Sequence, residues 1–466
     1  MHLVGSFQLE IMNYLLTRQV FVVVSLISIF ASKETGHAKQ PNILIVIADD
    51  LNKDSVGIYG NKDVRTPNID HLAGQGIRFN LAFTSTAMCA PTRQQMYTGL
   101  YPVRSGAYPN HSKVKPGTKS LVHYLKGLGY RVGLSGKRHF GPPKSFPFEQ
   151  ISNQVDEKAI REFVARDKSQ PFCLLVTSNS PHVPWSSGDS STYDPAKLSI
   201  PPYLVDTKEM RQSLTRYYAE ITDLDREVGE CMRILKDTGQ EGNTAMIFTT
   251  EQGAQYPGCK WTCYENGLNV GFIMRWPKVV KGGAITNAMI HYVDVVPTLV
   301  EMAGGKPLEG LDGKSFLSVL QGKTNHHNTA TYGVHTQMNA IASPPTGYAV
   351  RSIRVGNWKY IMNLNYKVPF SNALTNNDKE NYWGSWLIEA KTNPKAAQLV
   401  KRYLNRQAEE LYDLAKDPYE LNNLADHEEH RDLKQSLKLQ LKKWMESQGD
   451  KGQATELAAK RSKKRK

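Results

Sequence analysis

Asn42-Ile-Leu-Ile-Val-Ile-Ala48, running straight into Asp49-Asp50, is the stretch on which the fold turns. An unbroken apolar run of this length does not fit a strand with one wet face. It reads as a strand buried on both sides, the habit of a parallel sheet covered by helices. The same grammar recurs three times. Tyr130-Arg-Val-Gly-Leu-Ser135 runs into Gly136-Lys137-Arg138-His139, Phe172-Cys-Leu-Leu-Val-Thr177 into Ser180-Pro181-His182, and Thr244-Ala-Met-Ile-Phe-Thr-Thr250 into Glu251-Gln252-Gly253. Between these strands, residues 120–128 read as a short helix stopped by Gly129. Residues 210–236 place Leu214, Tyr217, Tyr218, Ile221, Leu224, Val228, Cys231 and Leu235 at the spacing of one long amphipathic helix. Strands alternating with helices predict an α/β fold with a large, mostly parallel central sheet flanked by helices. Ligands of such folds gather at the carboxyl ends of the strands. Four strand ends here deliver Asp49, Asp50, Lys137, His139, His182, Glu251 and Gln252 to one edge.

The 466 residues are enough for two unequal domains. Residues 20–31 are apolar, follow Arg18 and precede small and polar residues up to Ala38. That is the layout of a secretory signal peptide and is short for a membrane span. Residues 1–38 are assigned to that signal, with Met12 as an alternative start. An exported protein follows (periplasmic, secreted or lysosome-like), with no stable membrane anchor. The net charge is +14, of which six charges lie in the last seven residues. Residues 451–466 are therefore expected to be a disordered basic tail. The remaining +8 favours an anionic substrate. Nucleic acid is not expected, because zinc-finger spacing and RNA-recognition signatures are absent.

The five cysteines, 89, 173, 231, 259 and 263, cannot all pair within one chain. Cys89 is the candidate odd one, in Thr84-Ser-Thr-Ala-Met-Cys-Ala-Pro-Thr-Arg-Gln-Gln-Met-Tyr-Thr-Gly-Leu100. Pro91 suits the first position of a helix, so Cys89 is predicted just ahead of a helix N-terminus. A buried small hydrophobe and an activated thiolate both fit that place. A cysteine hydrolase would leave the carboxylates without a role.

Cys89-Ala90-Pro91-Thr92-Arg93, with Thr98-Gly99 downstream, resembles the type I sulfatase signature Cys-x-Pro-Ser-Arg. Further landmarks similar to that family follow in order: Pro41 to Asp50, Thr66-Pro-Asn-Ile-Asp70, Gly136 to His139, Pro181-His182-Val-Pro184, Trp276-Pro277 and Leu411 to Pro418. The resemblance, to sulfatases within the alkaline phosphatase superfamily, spans almost the whole mature chain. It implies a catalytic domain over 39–325 and a smaller C-terminal α+β domain with an antiparallel sheet over 326–450. It also implies that a formylglycine-generating or other sulfatase-maturating enzyme oxidises Cys89 to Cα-formylglycine.

By the same resemblance Asp49, Asp50, Glu251, Gln252 and the modified Cys89 hold a divalent cation. An all-oxygen set suits Ca²⁺, with Mg²⁺ as the alternative. One hydroxyl of the hydrated aldehyde would attack sulfur, with Glu251 placed to take its proton and Arg93 holding the hydrate. Lys137, Lys260 and His182 would neutralise the sulfate oxygens, one of Lys260 or His182 acting as general acid. His139 would deprotonate the second hydroxyl and restore the aldehyde. Two departures stand out: Thr92 replaces the usual serine, and Glu251-Gln252 replace Asp followed by Asn or His.

Arg351-Ser-Ile-Arg354 and the stretch from Asn363 to Phe370 are similar to heparan N-sulfatases. A sulfated sugar, glycosaminoglycan or similar, is the substrate this implies, with N- and O-sulfate both open. His335 is assigned to reach the sugar, a surface-loop histidine being the equal alternative. Cys259 and Cys263 flank Lys260 and either form a disulfide bracing its loop or remain two thiols. A phosphohydrolase of the same superfamily and a silent binder of sulfated glycans are the competing functions.

Overall fold

A computed structural model describes residues 40–336, 348–376, 378 and 380–459. The signal assigned to 1–38 and the basic run of 460–466 lie outside the described residues. From Pro41 onward the chain forms one compact unit.

Nine strands make the central sheet: β1 (Asn42–Ala48), β2 (Ile77–Phe83), β3 (Arg131–Gly136), β4 (Glu149–Ser152), β5 (Phe172–Thr177), β6 (Thr244–Thr250), β7 (Asn269–Arg275), β8 (Ala284–Thr286) and β9 (Ile290–His291). Their order is β4-β3-β5-β1-β6-β7-β2-β8, with β9 also pairing β2. β1 is central and parallel to both neighbours, Ile43 lying opposite Cys173 on one side and Ala245 on the other. Every residue of β1 is buried, and alternate side chains enter different cores. Leu44, Val46 and Ala48 face the core that includes Leu214, Tyr217, Ile221 and Leu224 of the Lys208–Asp237 helix. Ile43, Ile45 and Ile47 face the core that includes Leu125, Val296 and Leu299. Full burial is worth about 1.5–3 kcal/mol per large apolar side chain, so β1 stabilises both layers at once. β7 runs antiparallel to both β6 and β2, so the parallel order breaks there.

β10 (Ala330–His335), β11 (Val350–Val355), β12 (Trp358–Asn363) and β13 (Glu409–Asp413) form a separate antiparallel sheet in that order. Leu437, Leu441, Trp444 and Met445 of the Arg431–Ser447 helix join Val334, Ile353, Tyr360 and Leu411 in a third core.

The expected disordered tail is corrected over 451–459. Gln453–Leu457 is helical, with Thr455 and Glu456 buried. Just before it, Asp450 pairs with Arg351, both fully buried. Apart from Lys451 the basic charges of that stretch lie in 460–466, and the preceding Gln-Ala-Thr-Glu-Leu-Ala-Ala stretch has the composition of an ordinary packed helix.

Candidate active site

The parallel register of β3, β5, β1 and β6 brings their carboxyl ends to one edge. Backbone hydrogen bonds then join the turns that follow. Glu251 N donates to Ala48 O at 2.9 Å, Asp49 N to Ser180 O at 3.0 Å and Lys137 N to Thr177 O at 3.0 Å. Asp50 holds φ of 60°, a conformation uncommon for a residue with a Cβ and found often at functional sites. Gly136 has φ of +104°, and a Cβ there would lie 2.1 Å from Thr177 O, so the lysine turn requires glycine. Asn52 ties the first and fourth turns together: its Oδ1 accepts from Ala254 N at 2.7 Å, and its Nδ2 donates to Tyr203 and Cys259.

The Cys89–Thr98 helix approaches the same edge. It begins at Cys89 with Met88 as N-cap, two residues earlier than a helix led by Pro91. All ten residues are buried. Arg93, one turn on, lies on the same helix face as Cys89. The hydroxyl of Thr92 donates to Thr86 O at 2.5 Å and meets the Thr84 hydroxyl at 3.0 Å. The hydroxyl that threonine shares with serine is therefore in use.

Ligand atoms of Asp49, Asp50, Cys89 and Glu251 all lie within 4.8 Å of one another. Cys89 Sγ is 3.7 Å from Asp49 Oδ1 and 3.9 Å from Asp50 Oδ1. Cations ring these groups. Arg93 Nε donates to Glu251 Oε1 at 2.6 Å, Lys137 Nζ to Asp49, and Lys260 Nζ to Asp50. His182 Nε2 is 3.6 Å from Asp50 Oδ2, and its ring is fixed by a 2.6 Å contact between Nδ1 and Val183 O. His139 pairs with His111 at 2.8 Å, while its Nδ1 is buried with no hydrogen-bond partner.

Crowding sets the protonation of this cluster. Burial, then the charges of Asp49 and Cys89, push Glu251 well above the usual carboxyl range against the pull of Arg93. Burial also raises Asp50, which Lys260 only partly offsets. Burial works on Asp49 too, but Lys137, a hydrogen bond from Glu251 and Arg93 hold it well below its usual value. Burial opposes ionisation of the Cys89 thiol, yet Lys137 and Lys260 bring it well below the ordinary thiol range. For His182, burial lowers the pKa but the Asp50 charge outweighs it, so the imidazole is held toward its protonated form.

The donor set fits a hard divalent cation. Its oxygens are close enough to surround one ion at about 2.3–2.6 Å each. Gln252 Nε2 points at Asp50, Glu251 and Cys89 while its buried Oε1 has no partner. A half-turn of that amide exchanges the two atoms and makes Gln252 an oxygen donor.

The family model for sulfatases matches residues 41–305. An ulvan-active sulfatase from Formosa agariphila is 35% identical over 430 residues, covering 90% of this chain and 82% of that protein. The chain belongs to the sulfatase family. The family model for the C-terminal part of N-sulphoglucosamine sulphohydrolase matches residues 259–371. The human N-sulphoglucosamine sulphohydrolase is 26% identical over 465 residues, covering 87% of this chain and 90% of that one. A structure solved in complex with its substrate D-glucosamine-2-N,6-O-disulfate superposes with a TM-score of 0.69 at 20% identity, over 89% of this chain and 99% of the other. The last likeness bears on the fold, which is that of solved sulfatases.

In this sulfatase-family chain the structure brings together Asp49, Asp50, Cys89, Arg93, Lys137, His182, Glu251, Gln252 and Lys260, with His139 beside His111 at their margin. His335 is not brought to them. It is fully buried, its ring 6.1 Å from Phe370. Burial first, then Arg406 and Arg351, lowers its pKa to about 3, so it is neutral. The disulfide reading is also corrected, since all five cysteines are buried free thiols. Backbone hydrogen bonds brace the Lys260 loop instead: Lys260 N to Ala254 O at 2.9 Å and Trp261 N to Ala87 O at 2.9 Å. Asn52, Asn110, whose Oδ1 accepts from Ala90 N at 3.4 Å, and His111 were not expected at the site. Each is a single polar residue in a loop, without the spacing that marks a motif.

Proposed function

We propose that this sulfatase-family protein removes sulfate groups from a sulfated carbohydrate, with Cys89 as the precursor of a formylglycine and a divalent cation between Asp49, Asp50, Glu251 and Gln252. The observation that carries this reading is one thiol and three carboxylates within 4.8 Å of one another, held by three permanent cations, Arg93, Lys137 and Lys260. With all three carboxyls ionised, as binding of a divalent ion requires, they balance those cations, so the bound ion would leave an excess of about +2 that attracts an anionic sulfate group. Such a cation supplies Lewis acidity at the oxygen it holds, and the hydrated aldehyde supplies a nucleophile that regenerates itself. Relatives named for ulvan and N-sulphoglucosamine support a sulfated polysaccharide as the substrate class.

The chain's own residues have separable tasks. Lys137 and Lys260 approach Cys89 from the two carboxylates of the first turn and neutralise charge on a sulfate docked there. His182, 35% exposed, fixed through Nδ1 and held toward its protonated form, is the general acid for the leaving oxygen or nitrogen. Lys260 is too buried and too tightly paired with Asp50 to serve as well. Arg93 anchors Glu251 and positions residue 89 from one turn along the helix. His139 is the base at the margin, its free Nδ1 available while Nε2 is held by His111.

Mass spectrometry of the peptide spanning residues 84–100, from the native host, tests the reading directly. A formylglycine at position 89 and loss of sulfate release in Cys89→Ala are expected. An unmodified cysteine in fully active protein refutes it, as does faster turnover of aryl phosphate than of aryl sulfate.

A further inference from the structure

The end of the Pro394–Leu404 helix, β13 and Tyr264 enclose a cleft of about 190 Å³. Tyr264 lies four residues beyond Lys260, so the cleft flanks the loop that carries this lysine, yet it shares no residue with the cluster around Cys89. Two guanidinium groups line it. Arg406 is 5% exposed and stacks 3.6 Å over Phe370; Arg402 lies 4.5 Å over Tyr264.

Among the described residues neither guanidinium has a carboxylate partner. Arg402 donates to Glu420 O, and Arg406 Nε donates to Tyr403 O at 3.4 Å. Arg402 Nε and Arg406 Nη2 are buried with no hydrogen-bond partner. The carboxylate in the wall, Glu410, is already occupied by Asn363 at 2.5 Å, Tyr264 at 2.8 Å and Tyr412 at 2.6 Å. Glu410 acts on both guanidinium groups, and Glu420 on Arg402, only at a distance and without a direct ion pair, so the cost of burying them is offset only in part, as it is by stacking on aromatic faces. What is missing is a group with two or more negative oxygens, the shape that the guanidinium fork matches. Lys401, Gln398 and Asn405 at the rim add polar groups and a further positive charge.

We propose that this cleft is a second, non-catalytic oxyanion site that holds a sulfate or carboxylate between Arg402 and Arg406. If the reading of the preceding subsection holds, that group is borne by the same carbohydrate chain whose sulfate is removed at Cys89. The other source of the same chemistry is free inorganic sulfate.

Crystals of the full-length protein soaked in sodium selenate, with data collected at the selenium edge, test the site. Anomalous density between Arg402 and Arg406 is expected, and its absence there overturns the proposal. A second arm distinguishes the sources through binding of fluorescein-labelled dextran sulfate to wild type, Arg402→Gln, Arg402→Lys and Arg406→Gln. Loss of one charge-assisted contact corresponds to about tenfold weaker binding, which Arg402→Lys should restore in part. Unchanged dextran sulfate affinity with selenate density present assigns the site to free oxyanions. Arg402 is the less buried of the two, so its variants retain the readout if Arg406→Gln fails to fold. Neither arm measures turnover, so a protein inactive as a sulfatase still reports on this cleft.

Discussion

Arg93→Met is the perturbation that interrogates the charge balance of the site most directly. Arg93 is 1% exposed; its Nε donates to Glu251 at 2.6 Å, one terminal nitrogen to Lys137 O at 3.3 Å, and the other lies 4.0 Å from Asp49. Methionine fills much of the space of the aliphatic stem but removes the charge. Without a divalent ion, Asp49, Asp50 and Glu251 then face only Lys137, Lys260 and His182. Breaking a buried pair in this way costs about 3–5 kcal/mol, which for a chain of this length lowers the melting temperature by about 3–6 °C. A bound divalent cation supplies positive charge to the same carboxylates. The loss should then shrink to about 1–2 kcal/mol, the cost of the remaining hydrogen bonds. The assay is thermal unfolding of wild type and variant in chelator and in excess calcium. Equal losses in both conditions would falsify the assignment of these carboxylates to a cation.

A pH effect away from the site comes from Glu420, whose carboxyl is pushed up to about 8 by burial first and by Glu265, against the pull of Lys359. The unfolded carboxyl titrates near 4.3. Between these values the folded chain keeps a proton that the unfolded chain releases, so this group's contribution falls as pH rises. Glu420→Gln should gain about 1–3 kcal/mol at pH 8 and nothing at pH 4 by urea unfolding; a gain independent of pH counts against it. Asn52→Ala removes the link between the first and fourth turns and should lose about 1–3 kcal/mol of stability and at least about tenfold in kcat/KM for sulfate release. Wild-type kcat/KM in a folded variant refutes that link. Thr92→Ser should melt with the wild type, whereas Thr92→Val removes the shorter of two hydroxyl donors to Thr86 O, the other being Thr84 at 3.1 Å, and costs about 0.5–1.5 kcal/mol. Thiol titration of unfolded protein prepared without reductant should detect Cys173, Cys231, Cys259 and Cys263 as free thiols; finding Cys259 and Cys263 blocked restores the disulfide.

Much of the catalytic sheet is legible because β1, β5 and β6 are continuous apolar runs, a signal that only double burial produces. β7 carries less of that signal: it begins Asn-Val-Gly, and its antiparallel direction is set by the fold of residues 251–268 rather than by its own composition. Asp49, Asp50, Lys137, His139, His182 and Glu251 are readable because each follows a strand at short range, whereas Arg93, inside the Cys89–Thr98 helix, and Lys260, ten residues beyond β6, are reached only through the family resemblance. Asn52 and His111 are not, since their partners, Ala254 and His139, are far off in sequence. His335 misled for a related reason. A histidine at a strand end resembles a ligand, but the packing of Phe370, Arg351 and Arg406 around it decides where it lies. The tail misled because its composition was averaged over a packed helix and a separate run of basic residues.

The complete burial of the Cys89–Thr98 helix makes the chemistry of residue 89 a matter of timing. On the proposed formylglycine reading, a maturating enzyme could not grip a segment whose ten residues are all enclosed, so oxidation would compete with folding and be closed off once the sheet edge assembles. The fraction of molecules carrying the proposed aldehyde would then be set by how long each chain stays open. Two preparations with identical sequence and identical melting curves would then differ in specific activity according to how fast they were synthesised.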